Sequence, residues 1–274
     1  MIVKKSFWFF IFPLIFLSLW WAYLHLSGLV FTDQAYWFNI SYGIIGLIGG
    51  INGLFISKKW GGLNSLVGKA IIFLSFGLIM EWLAVTIWSI YNIWYKVEIP
   101  YPSLADIFYF MIIPLYSIAM IYLAKASGAI VSLKELKNKL NAVLVPCFML
   151  LFAYYLFLRQ GIDFSRPIKL IFDLGYPLGY AITLSIGIVT FFATKNYLGG
   201  QMKKIVIFLL IAYFIQFIAD YGFLYTAKEG TYYNANWVDL LYTVALASMS
   251  LAILQFGEVV DKIGAGKKLK CTQN

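Results

Sequence analysis

Four copies of a short signature recur at an almost constant spacing along this chain of 274 residues. They are Asn39-Ile40-Ser41-Tyr42, Asp106-Ile107-Phe108-Tyr109, Asp173-Leu174-Gly175-Tyr176 and Asp239-Leu240-Leu241-Tyr242, at intervals of 67, 67 and 66 residues. Each copy opens a long apolar segment, and a fixed period of this kind indicates a repeated structural unit. One period is long enough for two membrane-crossing helices. We therefore predict four helical hairpins that all enter the membrane in the same orientation.

The composition is that of a membrane protein. Hydrophobic residues make up 62% of the chain and charged residues 12%, whereas a soluble domain has about 25% charged residues. Apolar stretches lie at approximately 6–28, 36–56, 70–92, 103–125, 140–159, 168–193, 204–226 and 237–258. We expect an all-α, polytopic membrane bundle of eight transmembrane helices built from four parallel helical-hairpin repeats. Residues 1–258 would form this domain and residues 259–274 a short basic cytoplasmic tail, which leaves no room for a soluble kinase, nuclease or nucleotide-binding domain.

The basic residues divide unequally between the two sides of the predicted membrane domain. One side has 16 lysines: Lys4, Lys5, Lys58, Lys59, Lys69, Lys125, Lys134, Lys137, Lys139, Lys195, Lys203, Lys204, Lys262, Lys267, Lys268 and Lys270. The other side has five basic residues: Lys96, Arg159, Arg166, Lys169 and Lys228. Because short cytoplasmic loops are rich in lysine and arginine, we predict a protein of the cell membrane with both termini in the cytoplasm and the four signatures at the outer face. The net charge of +9 is explained by this topology and by attraction to anionic lipids, so no nucleic-acid partner is expected.

Five acidic side chains are the candidates for a ligand-binding site: Glu81, Asp106, Asp173, Asp220 and Asp239. The four aspartates are predicted within about two helical turns of the outer surface. Glu81 is predicted near the middle of the bilayer, where an acid costs several kcal/mol unless it faces a protein interior or a cavity. We expect Gln216 and the outer tyrosines Tyr109, Tyr176 and Tyr242 to accompany these acids.

Two of the acids also have a purely structural interpretation. Ser103-Leu104-Ala105-Asp106 matches a capping box, and Asp239 follows Asn236 in the same way. Asp173 is predicted about two turns inside its helix, beyond capping range. Asp220 approaches the C-terminal end of its helix, where the helix dipole disfavours an anion. These two carboxyls must therefore be hydrogen-bonded, protonated, paired or open to water.

Several kinds of chemistry lack the residues they require. Cys147 lies inside a predicted span and Cys271 in the tail, so we expect no disulfide. The chain has one histidine, His25, and no pair of aspartates spaced to hold magnesium and a diphosphate. We therefore expect no metal, no cofactor and no enzymatic activity, and an intramembrane enzyme is the least favoured function.

The run Pro100-Tyr101-Pro102-Ser103-Leu104-Ala105-Asp106-Ile107-Phe108-Tyr109 resembles the multi-span sensory region that precedes diguanylate cyclase and histidine kinase domains. Weaker similarity is found in Glu81-Trp82, in Asp173 with Tyr176-Pro177, in Ile218-Ala219-Asp220-Tyr221 and in Trp237 with Asp239. The resemblance implies a signal-input module in the cell membrane. Because the chain continues only about sixteen residues beyond the last predicted span, such a module would need a separate cytoplasmic or membrane partner for its output.

Two functions therefore remain open. The preferred one is a sensory or receptor-like protein with an outward-facing acidic pocket, in which a small-molecule or cation ligand changes helix packing. The alternative is a carrier for a cation or cationic solute that uses the same acids. The first requires a signalling partner, and the second requires flux across the bilayer.

Overall fold

The computed structural model describes residues 5–97, 101–127, 134–159, 164–194 and 200–271, and every regular element among them is helical. The eight long helices are α1 (Lys5–Leu26), α2 (Asp33–Lys59), α3 (Leu66–Ile90), α4 (Leu104–Ala126), α5 (Leu136–Ala153), α6 (Pro167–Thr194), α7 (Gly200–Lys228) and α8 (Trp237–Cys271). Helix α3 continues into a π-helical turn at Tyr91–Tyr95, and α5 into another at Tyr154–Leu158. Short 3₁₀ turns at Leu29–Phe31 and Gly62–Asn64 connect the first three helices.

All eight helices are long and apolar enough to cross a membrane. The predicted apolar stretches coincide with these helices to within a few residues: the stretch predicted at 36–56, for example, corresponds to Asp33–Lys59. Helix α8 differs from the prediction at its end, because it continues past Glu258 as a helix to Cys271. The all-α architecture with eight apolar helices is thus confirmed.

The first residues of the four signatures occupy similar places in the fold. Asn39, Asp106, Asp173 and Asp239 all lie within the first two turns of an even-numbered helix. The two helices of each predicted hairpin also pack against each other. The fourfold repeat as a symmetry of the whole molecule stays a prediction.

Six of the helices form a closed ring. In the order α2, α3, α4, α6, α7 and α8, each helix packs against the next, and α8 returns to α2. Helix α1 lies outside the ring against α8 and α2, and α5 lies outside it against α6. Only 17% of the most apolar window of α1 and 11% of that of α5 are buried, against 33–61% for the ring helices. The ring therefore has an interior in which side chains from different helices can meet.

The two ends of the ring differ in chemistry. We call the end at which α2, α4, α6 and α8 begin the signature end, and the opposite end, which carries most of the lysines, the basic end. At the signature end Trp21 Nε1 donates to the carbonyl oxygen of Asn236 at 3.0 Å. At the basic end Lys59 pairs with Asp261 at 2.9 Å, and Trp60 Nε1 donates to the carbonyl oxygen of Phe256 at 3.0 Å. Which end faces the cytoplasm stays a prediction.

Glycines on α2 bring three helices into close contact in the basic half of the ring. A Cβ atom on Gly50 would lie 2.7 Å from the carbonyl oxygen of Ser75 on α3, and one on Gly49 would lie 2.8 Å from Cβ of Ser250 on α8. In lipid, small residues of this kind let helix backbones approach closely. The interior beside them is filled by fully buried apolar side chains, including Leu74, Leu78, Ile253 and Phe256.

Candidate functional site

A buried glutamine joins two acidic side chains inside the ring. Glu81 lies near the middle of the Leu66–Tyr95 span and is 1% exposed, and Asp220 of α7 is 4% exposed. The amide nitrogen Nε2 of Gln216 donates to Oε1 of Glu81 at 3.3 Å and to Oδ1 of Asp220 at 3.2 Å. We call Glu81 and Asp220 the central carboxyl pair. The sequence predicted both acids and their glutamine, and the structure places all three in contact.

Each member of the central carboxyl pair has one buried oxygen that lacks a hydrogen-bond partner within 3.5 Å among the described residues. These atoms are Oε2 of Glu81 and Oδ2 of Asp220. The three ion pairs found in the described part of the chain involve other acids, so neither carboxyl has a basic partner there. Taking a carboxylate out of water without a compensating charge is costly. The pair therefore requires a proton or another cation.

A small cavity lies next to Asp220. Its volume is roughly 10 Å³, which is about the space needed for one water molecule. The residues around it come from three helices, α4, α6 and α7, and expose mostly apolar surface to it; those with polar side-chain atoms are Tyr116, Tyr180, Thr183, Tyr213, Gln216 and Asp220. Because Asp220 is the acid in this lining, the cavity is part of the environment of the central carboxyl pair.

Aromatic rings close the cavity on the side of the basic end. A Cβ atom on Gly77, one turn before Glu81, would lie 2.1 Å from Cε1 of Tyr116, so the glycine provides the space for this ring. Tyr116 packs edge-on against Tyr213 with 5.2 Å between ring centroids. The hydroxyl of Tyr213 donates to the carbonyl oxygen of Tyr116 at 3.2 Å. These two tyrosines separate the polar interior from the apolar basic half.

Two stacked tyrosine pairs connect Asp220 with the signature end. On α6, Tyr176 stacks on Tyr180 with 6.1 Å between centroids, and the hydroxyl of Tyr180 interacts with Asp220. Between α2 and α8, Tyr42 stacks on Tyr242 at 6.4 Å, and the hydroxyl of Tyr242 donates to Oδ1 of Asp220 at 3.0 Å. Asp220 is therefore the point at which both pairs meet.

Asp106 forms the capping box predicted for it at the beginning of α4, whereas Asp239 binds the backbone one residue before the predicted cap Asn236. Oδ2 of Asp106 accepts from the backbone nitrogen of Ser103 at 2.7 Å and from its hydroxyl at 2.9 Å. Oδ2 of Asp239 accepts from the backbone nitrogen of Ala235 at 2.6 Å. The side chain of Asn236 caps α8, because its Oδ1 accepts from the backbone nitrogen of Val238 at 2.8 Å.

Both capping aspartates also contact tyrosines that lead inward. The hydroxyl of Tyr176 donates to Oδ1 of Asp106 at 3.2 Å and to its carbonyl oxygen at 3.0 Å. The hydroxyl of Tyr232 donates to Oδ1 of Asp239 at 3.2 Å. Tyr232 lies in the connection before α8, where burial and the adjacent Asp239 raise the pKa of its phenol. This phenol therefore stays protonated at neutral pH and remains a donor.

Asp173 lies at the rim of the ring. Its side chain is 38% exposed, accepts from the hydroxyl of Tyr101 at 2.8 Å and lies 3.7 Å from Nζ of Lys169. The buried carboxyls, by contrast, have no lysine beside them in the described structure. The five predicted acids thus occupy three settings: the central carboxyl pair, the two helix caps and the rim. We predicted that all five acids line one pocket; in the structure, they lie in these three separate places.

Tyr109 interacts with acids of two of these settings, the helix caps and the central carboxyl pair. It is half-buried on α4, and its hydroxyl interacts electrostatically with Glu81, Asp106, Asp220 and Asp239. Its role as a site residue stays a prediction.

Sequence reasoning missed two tyrosines of the interior. Tyr42 is the last residue of the first signature, at the position that Tyr109, Tyr176 and Tyr242 occupy in the other three. The repeat itself would have included it. Tyr180 follows Tyr176 by four residues and therefore lies on the same helix face, but four-residue spacing of aromatic residues is too common in apolar helices to single it out.

The described residues contain no cluster of three or more histidine, cysteine, aspartate or glutamate side chains that could hold a metal ion. Compared with known proteins, the chain matches no protein-family model, no curated protein and no solved structure. The resemblance to membrane sensory regions therefore stays a prediction that rests on the residues themselves.

Proposed function

We propose that this chain is a sensory protein of the cell membrane that binds a cation at the central carboxyl pair and reports its presence through helix packing. The observation that supports this proposal most strongly is the pair itself. Two buried carboxyls share one amide nitrogen, each has an oxygen without a partner, and no ion-paired base accompanies them in the described residues. A polar arrangement at this depth is expensive, and such residues in membrane proteins mark functional sites.

The path to this site begins at the signature end. Polar and tyrosine side chains line the ring from the caps of α4 and α8 down to Asp220. Apolar side chains and glycine contacts fill the basic half. A cation would therefore enter between the even-numbered helices and stop above Tyr116 and Tyr213.

The signal would travel along the helices that hold the site. Glu81 belongs to α3 and Gln216 to α7, so the hydrogen bond between them joins these two helices. Helix α3 is also held against α2 by the close contact between Gly50 and Ser75. A cation that changes the separation of α3 and α7 would shift this contact, and with it the lysine-bearing ends of the helices. With both termini in the cytoplasm, those ends would meet the signalling partner.

A carrier for cations is the second candidate, because carboxyls near mid-membrane also serve ion pathways. The two functions differ in what happens after binding. A carrier must open the glycine-packed half to release its cation. A sensor needs only a change in the spacing of helices at the basic end.

One preparation can test both functions. We suggest spin labels at Lys58→Cys and Lys125→Cys, in a Cys147→Ser, Cys271→Ser background, with the protein in lipid nanodiscs. The probes are sodium, potassium, methylammonium and guanidinium chloride, each against N-methyl-D-glucamine chloride at equal ionic strength. The sensor predicts a change in label distance for at least one probe. Proteoliposomes made with the unlabelled protein should show no flux of that probe above that of empty liposomes.

Variants of Glu81 separate a ligand site from a buried structural acid. Glu81→Gln keeps the shape and a hydrogen bond to Gln216 but removes the charge, so the protein should fold and lose the distance change. Asp173→Asn is the matched control, because this rim carboxyl has its own lysine, and the response should persist. A Glu81→Gln protein that responds like the wild type would refute the proposed function, and flux of the probe through the wild-type protein would favour the carrier.

A further inference from the structure

We infer that Lys69, Tyr122 and Lys125 bind the headgroup of one anionic phospholipid, on the outer surface of the ring where α3 packs against α4. We call these three residues the headgroup site. Its ligand is a membrane lipid with two acyl chains and a negatively charged phosphate. The site lies at the basic end, away from the central carboxyl pair, and would exist whether or not a cation binds that pair.

The headgroup site lies at the depth where a bilayer has its headgroups. Lys69 is the fourth residue of the apolar span Leu66–Tyr95, and Lys125 is the second-last residue of the span Leu104–Ala126. Both spans have these ends at the basic end of the ring. Lys125 is exposed, and Lys69 and Tyr122 are half-buried. Tyrosine is common at this boundary between apolar core and water.

One aromatic ring holds two ammonium groups from two different helices. Nζ of Lys69 on α3 lies 5.6 Å from the ring centroid of Tyr122, and Nζ of Lys125 on α4 lies 5.9 Å from it. Two positive charges beside the same ring repel each other. An anion that contacts both lysines relieves this repulsion, and lysine is a common ligand of phosphate.

The protein supplies no acid for these two lysines in this part of the chain. No acidic residue occurs between Asp33 and Glu81, so the basic ends of α2 and α3 have lysines alone, and residues 107–126 of α4 contain none either. The ion pairs among the described residues do not involve Lys69 or Lys125. The negative charge that fits this surface must therefore come from outside the chain.

Apolar side chains next to the headgroup site favour a lipid over a free anion. Phe73 of α3 stacks on Tyr122 of α4 with 5.7 Å between ring centroids. Farther from the basic end, Phe76 is 41% and Ile121 40% exposed, and in a bilayer such side chains face acyl chains. A phospholipid can contact these residues while its phosphate meets the lysines, as in other basic sites between membrane helices.

The first experiment uses only the wild-type chain. Native mass spectrometry of the full protein released from detergent measures retained lipid, with phosphatidylglycerol and phosphatidylcholine of the same acyl chains at equal concentration. One phosphatidylglycerol should be retained per chain. Its preference over phosphatidylcholine should be on the order of 25-fold, because each lysine near a membrane surface contributes about fivefold. Equal retention of the two lipids would overturn the headgroup site.

Inorganic phosphate in excess distinguishes a lipid from a free anion. It lacks the acyl chains that would contact Phe76 and Ile121, so it should leave the bound phosphatidylglycerol in place. If phosphate displaces the lipid, or is itself retained instead, the surface binds a free anion and the assignment to a lipid is wrong.

The second experiment separates one site from diffuse attraction by all basic-end lysines. The Lys69→Gln, Lys125→Gln double variant is compared with Lys58→Gln, Lys137→Gln, which removes the same charge from two exposed lysines of the same end. Thermal unfolding is measured in nanodiscs of phosphatidylglycerol and of phosphatidylcholine. A ligand of the folded state stabilises it, so the wild-type Tm should be higher in phosphatidylglycerol by on the order of 4 °C.

The first double variant should lose this Tm difference, and the control should keep it. Equal reduction in both double variants would show that only net charge matters and would overturn the headgroup site. Cation-induced changes in spin-label distance are a separate readout. The sensor can therefore fail while the lipid site stands, and the lipid site can fail while the sensor stands.

Discussion

The two halves of the six-helix ring are held together in different ways. In the basic half, Gly49 and Gly50 of α2 bring backbones and small side chains into direct contact with α3 and α8. In the signature half, hydrogen bonds between side chains and helix ends connect neighbouring helices, as between Tyr176 and Asp106. One half depends on shape and the other on polar contacts.

This difference follows from the solvent that surrounds the ring. Lipid tails are as apolar as leucine, so burying apolar side chains gives little drive for helices to associate, and close packing must supply it. Polar side chains buried in lipid need hydrogen-bond partners. A purely structural network could give every carboxyl oxygen such a partner. Glu81 and Asp220 each keep one oxygen without such a partner, and the proposed cation site would account for both oxygens.

The largest effect should come from filling the contact between α2 and α3 in the basic half. Gly50→Ala would place a Cβ atom 2.7 Å from the backbone oxygen of Ser75, which cannot move without shifting α3. We expect a loss of about 1–3 kcal/mol in the free energy of unfolding, as for an overpacked core. Thermal or detergent-induced unfolding of the purified protein measures it.

Gly43→Ala on the same helix is the matched control for Gly50→Ala. A Cβ atom on Gly43 would meet Cγ1 of Val85 at 3.3 Å, and that side chain can adjust by a few tenths of an ångström. Its effect should be the smaller of the two. Equal losses of unfolding free energy for the two variants would show that both halves of α2 are packed alike. The contrast between the basic and signature halves would then be wrong for this helix.

Eight spans could be read from the sequence because hydropathy and length decide them locally. The contact between Glu81 and Gln216 was also predictable, since a mid-membrane acid requires a polar neighbour and few exist at that depth. The division into six ring helices and two outer helices was not predictable. Helices α1 and α5 are as apolar as the others, and hydropathy does not identify a helix's neighbours.

The place of Asp173 could not be deduced from its position in the signature. It occupies the same signature position as Asp106 and Asp239, yet α6 begins six residues before it whereas α4 and α8 begin two residues before theirs. This offset takes Asp173 out of capping range. Lys169, one turn earlier on the same helix, then lies beside it, and an i,i+4 pair at the rim needs no interior partner.

A smaller effect is expected from the cap of α4 in the signature half. Ser103→Ala removes the hydroxyl that donates to Oδ2 of Asp106 at 2.9 Å, while the backbone nitrogen of residue 103 can still donate to the same oxygen. Losses on replacing such N-cap side chains are typically about 1 kcal/mol. Ser41→Ala is the control, because this exposed hydroxyl bonds only the carbonyl of Trp37 one turn earlier. A Ser103→Ala protein as stable as Ser41→Ala would mean that the cap contributes nothing.

The contact between α4 and α6 at Tyr176 should contribute slightly less. Tyr176→Phe keeps the ring that stacks on Tyr180 and removes the hydroxyl that bonds Asp106. Hydrogen bonds between membrane helices contribute about 0.6 kcal/mol on average, so the unfolding free energy should fall by roughly that amount. A double-mutant cycle with Asp106→Asn measures the coupling energy between the two side chains. A coupling energy of zero would show that the Tyr176 hydroxyl does not help to join these helices.

The smallest effect is expected at the rim, where water can replace the polar interactions that a substitution removes. Lys169 and Asp173 are both partly exposed, and their charged atoms lie 3.7 Å apart, so Lys169→Ala should change the unfolding free energy by less than about 0.5 kcal/mol. High salt should reduce even this difference, because it screens exposed charges. Burial and the neighbouring Asp173 raise the pKa of Tyr101, so its phenol still donates to the carboxylate after the lysine is gone. Unfolding of Lys169→Ala and wild type at low and high salt tests this directly. A loss of 2 kcal/mol that salt does not change would place Asp173 among the buried acids, and the rim would then belong to the polar interior of the signature half.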